Sequence, residues 1–349
     1  MKRTILLALL LLLVLSLLPG CGGPEASAPS EPAPSPAVYE DGRARPSNAG
    51  RLRVVDGRLC DQNGSAVMLR GVSLNGLITS ESFLNEELFR ELSRDCGVDL
   101  IRLPLYTYGV GVVGYCTKGD KERHKQDIAL GVDLARDQDM YVIIDWHILS
   151  DGDPNTYLDE ALLFFGEMAE TYADYNNVLY EICNEPNGVD WPAVKRYAEQ
   201  VIPVIREKDP DSVIIVGNPD WSKDLASVAA DPLPYDNVLY TLHFYAATHG
   251  QDLRDLTERL SQQGLPIFVS EFGVTASNGG FPRDLDSADA WIELLEREKI
   301  SYCMWAFSKA PEACSALKRG VLKNNGFAQE DYSETGLWLL DTLAGHNSR

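Results

Sequence analysis

Val178-Leu179-Tyr180-Glu181-Ile182-Cys183-Asn184-Glu185-Pro186 is an apolar, partly β-branched run that stops abruptly in two polar residues and a proline. Val178 to Cys183 reads as a strand covered on both faces, the pattern of a parallel sheet. Helical periodicity lies on either side of it, over Tyr157 to Tyr172 and over Trp191 to Lys208. Strand, polar end and amphipathic helix form one unit, and the chain repeats that unit after residue 50.

Further strands are expected over Val67 to Val72, Asp99 to Leu103, Tyr141 to Asp145, Val213 to Val216, Val238 to His243, Ile267 to Ser270 and Ile300 to Ala306. Helices are expected around Glu87 to Leu92 and over Asp127 to Asp137, Leu253 to Gln263 and Ala288 to Glu298. Several begin near Asp, Ser or Asn, and prolines punctuate the joins. Eight strands separated by helices fit an α/β fold, a single (β/α)8 barrel. An open doubly wound sheet is the alternative, but no glycine-rich dinucleotide fingerprint follows the first strand.

A barrel gathers the C-terminal ends of its strands at one mouth, and the unusual polar and aromatic residues fall there. Arg102 ends the second strand, and Trp146 and His147 follow the third. Asn184, Glu185 and Pro186 follow the fourth, and Trp221 lies after the fifth. His243 and Tyr245 end the sixth, Glu271 the seventh and Trp305 the eighth. Glu185 and Glu271 stand on opposite sides of such a barrel. Cleaving a glycosidic bond needs one carboxylic acid for the leaving oxygen and a second carboxylate at the anomeric carbon, about 5–5.5 Å away when configuration is retained. Arg102 near Glu271 would favour its ionised form, and the like charge would raise Glu185.

Asn184-Glu185-Pro186 after one strand and Ser270-Glu271-Phe272-Gly273 three strands later resemble glycoside hydrolase family 5. Ile143-Ile144-Asp145-Trp146-His147, Tyr180-Glu181-Ile182-Cys183, His243-Phe244-Tyr245-Ala246 and Thr248-His249-Gly250 resemble its bacterial endo-1,4-β-glucanases, and the likeness runs from about residue 51 to 343. The resemblance implies Glu185 as acid/base and Glu271 as nucleophile. It gives supporting roles to Arg102, His147 and His243, and it has Tyr245 donate to the nucleophile. It implies that Asn184 bonds the sugar 2-hydroxyl, that Trp305 lies under the reacting ring and that Trp221 stacks on a sugar further along. Two departures stand out. Asn75 replaces a histidine and no tryptophan follows it, so an aromatic wall there would come from another loop, such as that of Tyr106 and Tyr108. The lysine of a Lys and Glu pair comes one residue early, at Lys309, while Glu312 matches.

The expected activity is retaining hydrolysis of internal β-1,4 bonds in cellulose-like or mixed-linkage β-glucan. A β-mannanase or xyloglucanase is the nearest rival enzyme, and a non-catalytic glucan-binding lipoprotein the rival of another class. The mechanism needs no cofactor or metal. Nothing resembles a carbohydrate-binding module, which suits soluble or amorphous glucan, and the chain is expected to act as a monomer.

A formal charge of −21 argues against nucleic acid. Lys2 and Arg3 followed by the apolar run Ile5 to Leu15 make an export signal, shorter than the roughly 20 residues of a membrane-spanning helix. Leu18-Pro19-Gly20-Cys21 resembles a bacterial lipobox, implying cleavage after residue 20 and lipidation of Cys21. Residues 21–50, rich in Pro, Ala, Ser, Glu and Gly, read as a tether to the membrane at the bacterial cell surface, and residues 51–349 as the barrel. Six other cysteines permit disulfides, though Cys183 and Cys303 sit in apolar runs as small buried hydrophobes.

Overall fold

The structure, a computed structural model, describes Tyr39 and residues 42–109 and 113–347. The export signal, Cys21 and the first part of the tether lie outside those residues. A small antiparallel pair comes first, β1 (Arg53–Val55) and β2 (Arg58–Cys60), which the sequence pattern did not announce. Eight strands then follow: β3 (Arg70–Leu74), β4 (Leu100–Tyr106), β5 (Tyr141–His147), β6 (Val178–Glu181), β7 (Ile214–Val216), β8 (Val238–Tyr245), β9 (Ile267–Gly273) and β10 (Tyr302–Phe307). They close in chain order into a parallel barrel, with β10 pairing back to β3. All eight expected strands are present, and the fold is the (β/α)8 barrel.

Leu100, Ile143, Leu179, Ile215, Leu239 and Phe268 belong to the apolar cluster that fills the barrel. Side chains alternate along a strand with a period of two, so two positions further on the same face carries Arg102, Asp145, Glu181, Thr241 and Ser270. All five are fully buried. An apolar layer is thus capped by a polar one, nearer the mouth. The opposite strand face, with Ile101, Ile144 and Tyr180, belongs to the larger cluster shared with the helices.

The outer helices follow from capping and periodicity. Trp191–Lys208 starts where Asp190 accepts from the Ala193 backbone N–H, has a proline in its first turn and buries Val194, Tyr197, Ala198, Val201, Ile202 and Ile205. That is one stripe at helical spacing. Asp209 and Pro210 end it.

β9 carries one residue too many. Thr241 pairs with Phe268 and His243 with Glu271, so two steps on β8 match three on β9. β10 records the same surplus, with Tyr302 opposite Val269 and Met304 opposite Phe272. Such a bulge re-aims side chains, and here it lets the consecutive residues Ser270 and Glu271 both reach interior groups.

The floor of the barrel corrects the tether boundary. Arg43 is buried, donating from Nε to Asp99 Oδ1 at 2.7 Å and from its other nitrogens to the carbonyls of Ser93 and Val98. Ala44, Ala49, Leu52 and Leu59 join the apolar cluster inside the barrel, and Tyr141 donates to the Gly50 carbonyl at 2.7 Å. Residues 43–50 therefore belong to the packed domain and not to a tether. Cys60, Cys96, Cys116, Cys183, Cys303 and Cys314 are all free thiols, with Cys183 and Cys303 fully buried. Among the described residues no helix is long and apolar enough to cross a membrane.

Candidate active site

Arg102 organises the polar layer. Its Nε donates to Glu181 Oε2 at 2.7 Å, one terminal nitrogen to Glu271 Oε2 at 3.1 Å, and the other to Asn184 Oδ1 at 2.6 Å, while that last nitrogen also forms an ion pair with Asp145 Oδ2 at 2.9 Å. One rigid guanidinium thus holds three carboxylates and an amide in register. Tyr245 donates to Glu271 Oε1 at 2.7 Å, so both oxygens of Glu271 receive a donor. Across the mouth, Glu185 Oε1 lies 2.9 Å from His243 Nδ1.

Donor or acceptor atoms of Glu185, His243 and Glu271 all fall within 4.8 Å of one another. A cation could bridge such a trio, but hydrogen bonds already link His243 to Glu185 and Tyr245 to Glu271. Those bonds give the trio the form of a proton-handling constellation.

Burial dominates the acidities. It pushes Glu185 up to about 8, opposed by Arg102 and Lys223. It pushes Asp145 up to about 7 and also raises Glu181, against Arg102. Burial raises Glu271 as well, and His243 and Arg102 pull downward without reversing it. A neighbouring Arg102 considered alone implies the opposite direction. The difference arises because a carboxylate inside the barrel loses more water than one shared cation returns. Burial keeps both histidines neutral, lowering His147 to about 3 and His243 to about 4.

His147 is fixed by Asp145 Oδ2, 2.7 Å from its Nδ1. Its ring lies between Tyr106, at 4.3 Å between centroids, and Trp305, nearly parallel at 5.4 Å. Asn184 gives one amide proton to the Ile148 carbonyl at 2.9 Å and points its nitrogen at His147 Nε2, 3.4 Å away.

A cavity of about 300 Å³ beside Glu185 has Trp221, Lys223, Tyr245, His249 and Ser277 in its walls. Trp221 is 47% exposed. Asp220, Trp221 and Ser222 all have left-handed backbones, with φ of 58°, 55° and 59°, a conformation disfavoured for residues with a side chain. Bonds from Trp221 N to the Pro186 carbonyl (3.1 Å) and from Ser222 Oγ to the Asn184 carbonyl (2.6 Å) hold it. The ring is thereby displayed from the loop after β7, which these bonds tie to the loop that carries Glu185.

On the other side, a cavity of about 230 Å³ is lined by Asn75, Ile78, Tyr106, His124 and Glu312. Asn75 Nδ2 lies 3.3 Å from Glu312 Oε2, which also accepts from the Cys314 thiol at 3.4 Å.

The structure thus gathers Glu185, Glu271, Arg102, His147, Asn184, His243, Tyr245 and Trp305 at one mouth, with Trp221 on one flank and Asn75, Tyr106 and Glu312 on the other. Two expected positions differ. Lys309 bonds Asn324 Oδ1 at 2.7 Å and lies over the Phe83 ring, so its ammonium is engaged with the 323–324 loop. Trp146 packs against Tyr115, Phe164 and Phe165 on the helix side, because alternation turns it away from its neighbours Asp145 and His147. Asp145, Glu181, Thr241 and Ser270 went unassigned from sequence. The signal was present, as polar side chains at the inward phase of apolar strands.

The chain matches the family model described as cellulase (glycosyl hydrolase family 5) over residues 60–311. It is 41% identical over 313 residues to an endoglucanase of Clostridium saccharobutylicum, covering 89% of this chain and 69% of that one. It is 42% identical to endoglucanase A of Butyrivibrio fibrisolvens, covering 84% and 69%. Among solved structures it is similar to the catalytic domain of Thermobifida fusca endoglucanase Cel5A, with a TM-score of 0.82, 36% identity, and 86% and 100% coverage. A form of that domain has been solved in complex with cellotetraose.

Proposed function

Because the chain belongs to glycosyl hydrolase family 5 and is a cellulase, we propose that it cleaves internal β-1,4 bonds of glucan with retention, using Glu271 as nucleophile and Glu185 as acid and base. The observation that carries this reading is the approach of the two glutamates to within 4.8 Å at their nearest oxygens. That spacing suits direct attack by one carboxylate, whereas inversion needs about 6.5–9.5 Å to seat a water.

The environments separate the two roles. Glu271 accepts from Tyr245 and Arg102 at both oxygens, which favours its carboxylate form over that of Glu185. Glu185, raised to about 8, holds the proton that leaving oxygen needs. Attack by Glu271 forms the glycosyl ester as the glycosidic C–O bond breaks, and the Glu185 proton moves to the departing sugar oxygen. Water then gives a proton to Glu185, bonds to the anomeric carbon and displaces Glu271. Asn184, with one amide proton held only at 3.4 Å from His147, is the donor for a sugar 2-hydroxyl.

Trp221 and Trp305 are the aromatic platforms for sugar faces, and Asn75, Tyr106 and Glu312 bind on the opposite flank. The relatives' names and the cellotetraose complex support a β-1,4-glucan substrate. One chain supplies every residue of the site, in keeping with a monomer. The N-terminal signal and Cys21 support export and lipid anchoring at the cell surface.

A 2-fluoro-cellobioside with a good leaving group tests the mechanism. Peptide mapping is expected to find the label on Glu271, and NMR is expected to find the first product with unchanged anomeric configuration. Label elsewhere or inverted product overturns the assignment. Purified cellulose derivatives, mixed-linkage glucan, mannan and xyloglucan, compared by product release, test the substrate. Faster release from mannan or xyloglucan would replace it.

A further inference from the structure

We infer that Ser270 is a positioning residue that fixes the tautomer of His243 and thereby keeps the proton on Glu185, an inference that rests on the acid/base role proposed for Glu185. Ser270 Oγ is fully buried and touches three polar groups. It lies 2.5 Å from Glu181 Oε1, 2.9 Å from His243 Nε2 and 2.5 Å from Thr241 Oγ1.

A hydroxyl has one proton to give. Glu181, bound to Arg102 through its other oxygen, only accepts, so the Ser270 proton goes to it. The remaining two neighbours must therefore donate to Ser270. Thr241 can do so, since its own oxygen accepts from the Ser270 backbone N–H at 3.2 Å. His243 can do so only with a proton on Nε2.

The consequence reaches the other side of the ring. Neutral His243 with its proton on Nε2 has a bare Nδ1, and Nδ1 faces Glu185 Oε1 at 2.9 Å. Two lone pairs at that distance repel, so the contact is satisfied only by a protonated Glu185. A string of hydrogen bonds from Arg102 through Glu181, Ser270 and His243 thus specifies which carboxyl carries the proton. After the glycosyl ester forms, the same bare nitrogen faces the Glu185 carboxylate and makes it a stronger base for water.

Other charged and titratable groups face this pair from every side: Arg102 from β4, Asp145 and His147 from β5, and Glu181 from β6. Lys223 lies after β7, Tyr245 on β8, His249 beyond β8 and Glu271 on β9. Their fields are common to wild type and a Ser270 variant. The difference between the two isolates the relay.

The direct test is nitrogen NMR of the full protein labelled at its five histidines, with His243→Gln used only to assign the signal. Wild type is expected to show Nε2 protonated and Nδ1 bare. In Ser270→Ala, Nε2 is left 3.9 Å from Glu181, beyond hydrogen-bond range. The tautomer balance is then expected to move toward a protonated Nδ1, which donates to the Glu185 carboxylate and favours its ionised form. The alkaline limb of kcat/KM should move to lower pH by about one unit, roughly tenfold less activity above that limb, with the plateau at lower pH retained. Ser270→Thr keeps the hydroxyl and should restore both readouts. A proton on Nδ1 in wild type, or a Ser270→Ala variant matching wild type in both tautomer and alkaline limb, overturns the inference. Failure of the Glu185 assignment is read separately, as full activity in Glu185→Gln, and leaves the wild-type tautomer measurement standing.

Discussion

Tyr245 on β8 and Gly273 on β9 are register partners, and the tyrosine ring occupies the space where a side chain at 273 would begin. A Cβ on Gly273 would stand 2.6 Å from both Cδ1 and Cε1 of that ring. The same ring presents its hydroxyl to Glu271. Gly273→Ala is therefore expected to push the phenol off Glu271 and lower kcat/KM by roughly 10²-fold, the scale of a misplacement near 1 Å. Circular dichroism should stay unchanged. Wild-type turnover in this variant would mean that the phenol's position is not critical.

The acidity of Glu185 makes both activity and stability fall as pH rises, over different windows. The proposed mechanism needs its proton, so kcat/KM of the free enzyme should fall as pH rises through about 8. Stability responds through linkage. The ordinary value is 4.5 and the folded value about 8, so between them the folded protein keeps a proton that the unfolded chain has released. Stability from this group therefore declines across that window and stays low above it. Glu185→Gln should lose about 10²–10⁴-fold in kcat. Its Tm should match wild type near pH 4 and exceed it near pH 9. A Tm difference independent of pH would contradict this account.

Trp221 packs little protein surface, yet its strained loop is held by two hydrogen bonds. Removing the ring should leave folding intact and weaken only long substrates. Trp221→Ala is expected to raise KM for soluble glucan by about tenfold, equivalent to about 1.4 kcal/mol, with hydrolysis of a short aryl glycoside little changed. Equal losses on both substrates would place Trp221 at the reacting bond.

At the barrel floor, Arg43 compensates Asp99, whose carboxyl is buried and raised by burial. Arg43→Ala should cost about 3–5 kcal/mol in urea unfolding, because a buried charge is left without its partner. A chain beginning at residue 39, which keeps the Tyr39 bond to Asp61, should match the full chain in stability, and one beginning at residue 51 should melt well below it. Equal melting of the two would return residues 43–50 to the tether.

The barrel was legible because each of its strands is a compact apolar run, and the mouth because Asn184, Glu185, His243, Tyr245 and Glu271 interrupt such runs at their ends. The floor was not. Ala44, Pro46 and Ala49 have the composition of a linker, and only the apolar floor of the barrel gives them something to bury against. Asp145 and Glu181 were hidden for another reason: inside a strand, their meaning depends on which face they take, and that is set by closure of the sheet. Lys309 illustrates the limit of spacing arguments, since a one-residue offset in a loop after β10 was enough to turn it to another partner. The direction of the Glu271 shift depended on its depth, which no count of neighbouring charges conveys.

The surplus residue in β9 couples two tasks mechanically. In the proposed mechanism Ser270 leads toward the proton and Glu271 toward the carbon, and they occupy adjacent links of one strand. Only these two residues lie between Val269 and Phe272, so deleting either would restore strict alternation and leave one inward position for both tasks. Bond-making and proton delivery would then fail together, so variation at this point of the barrel is tolerated as a pair or not at all.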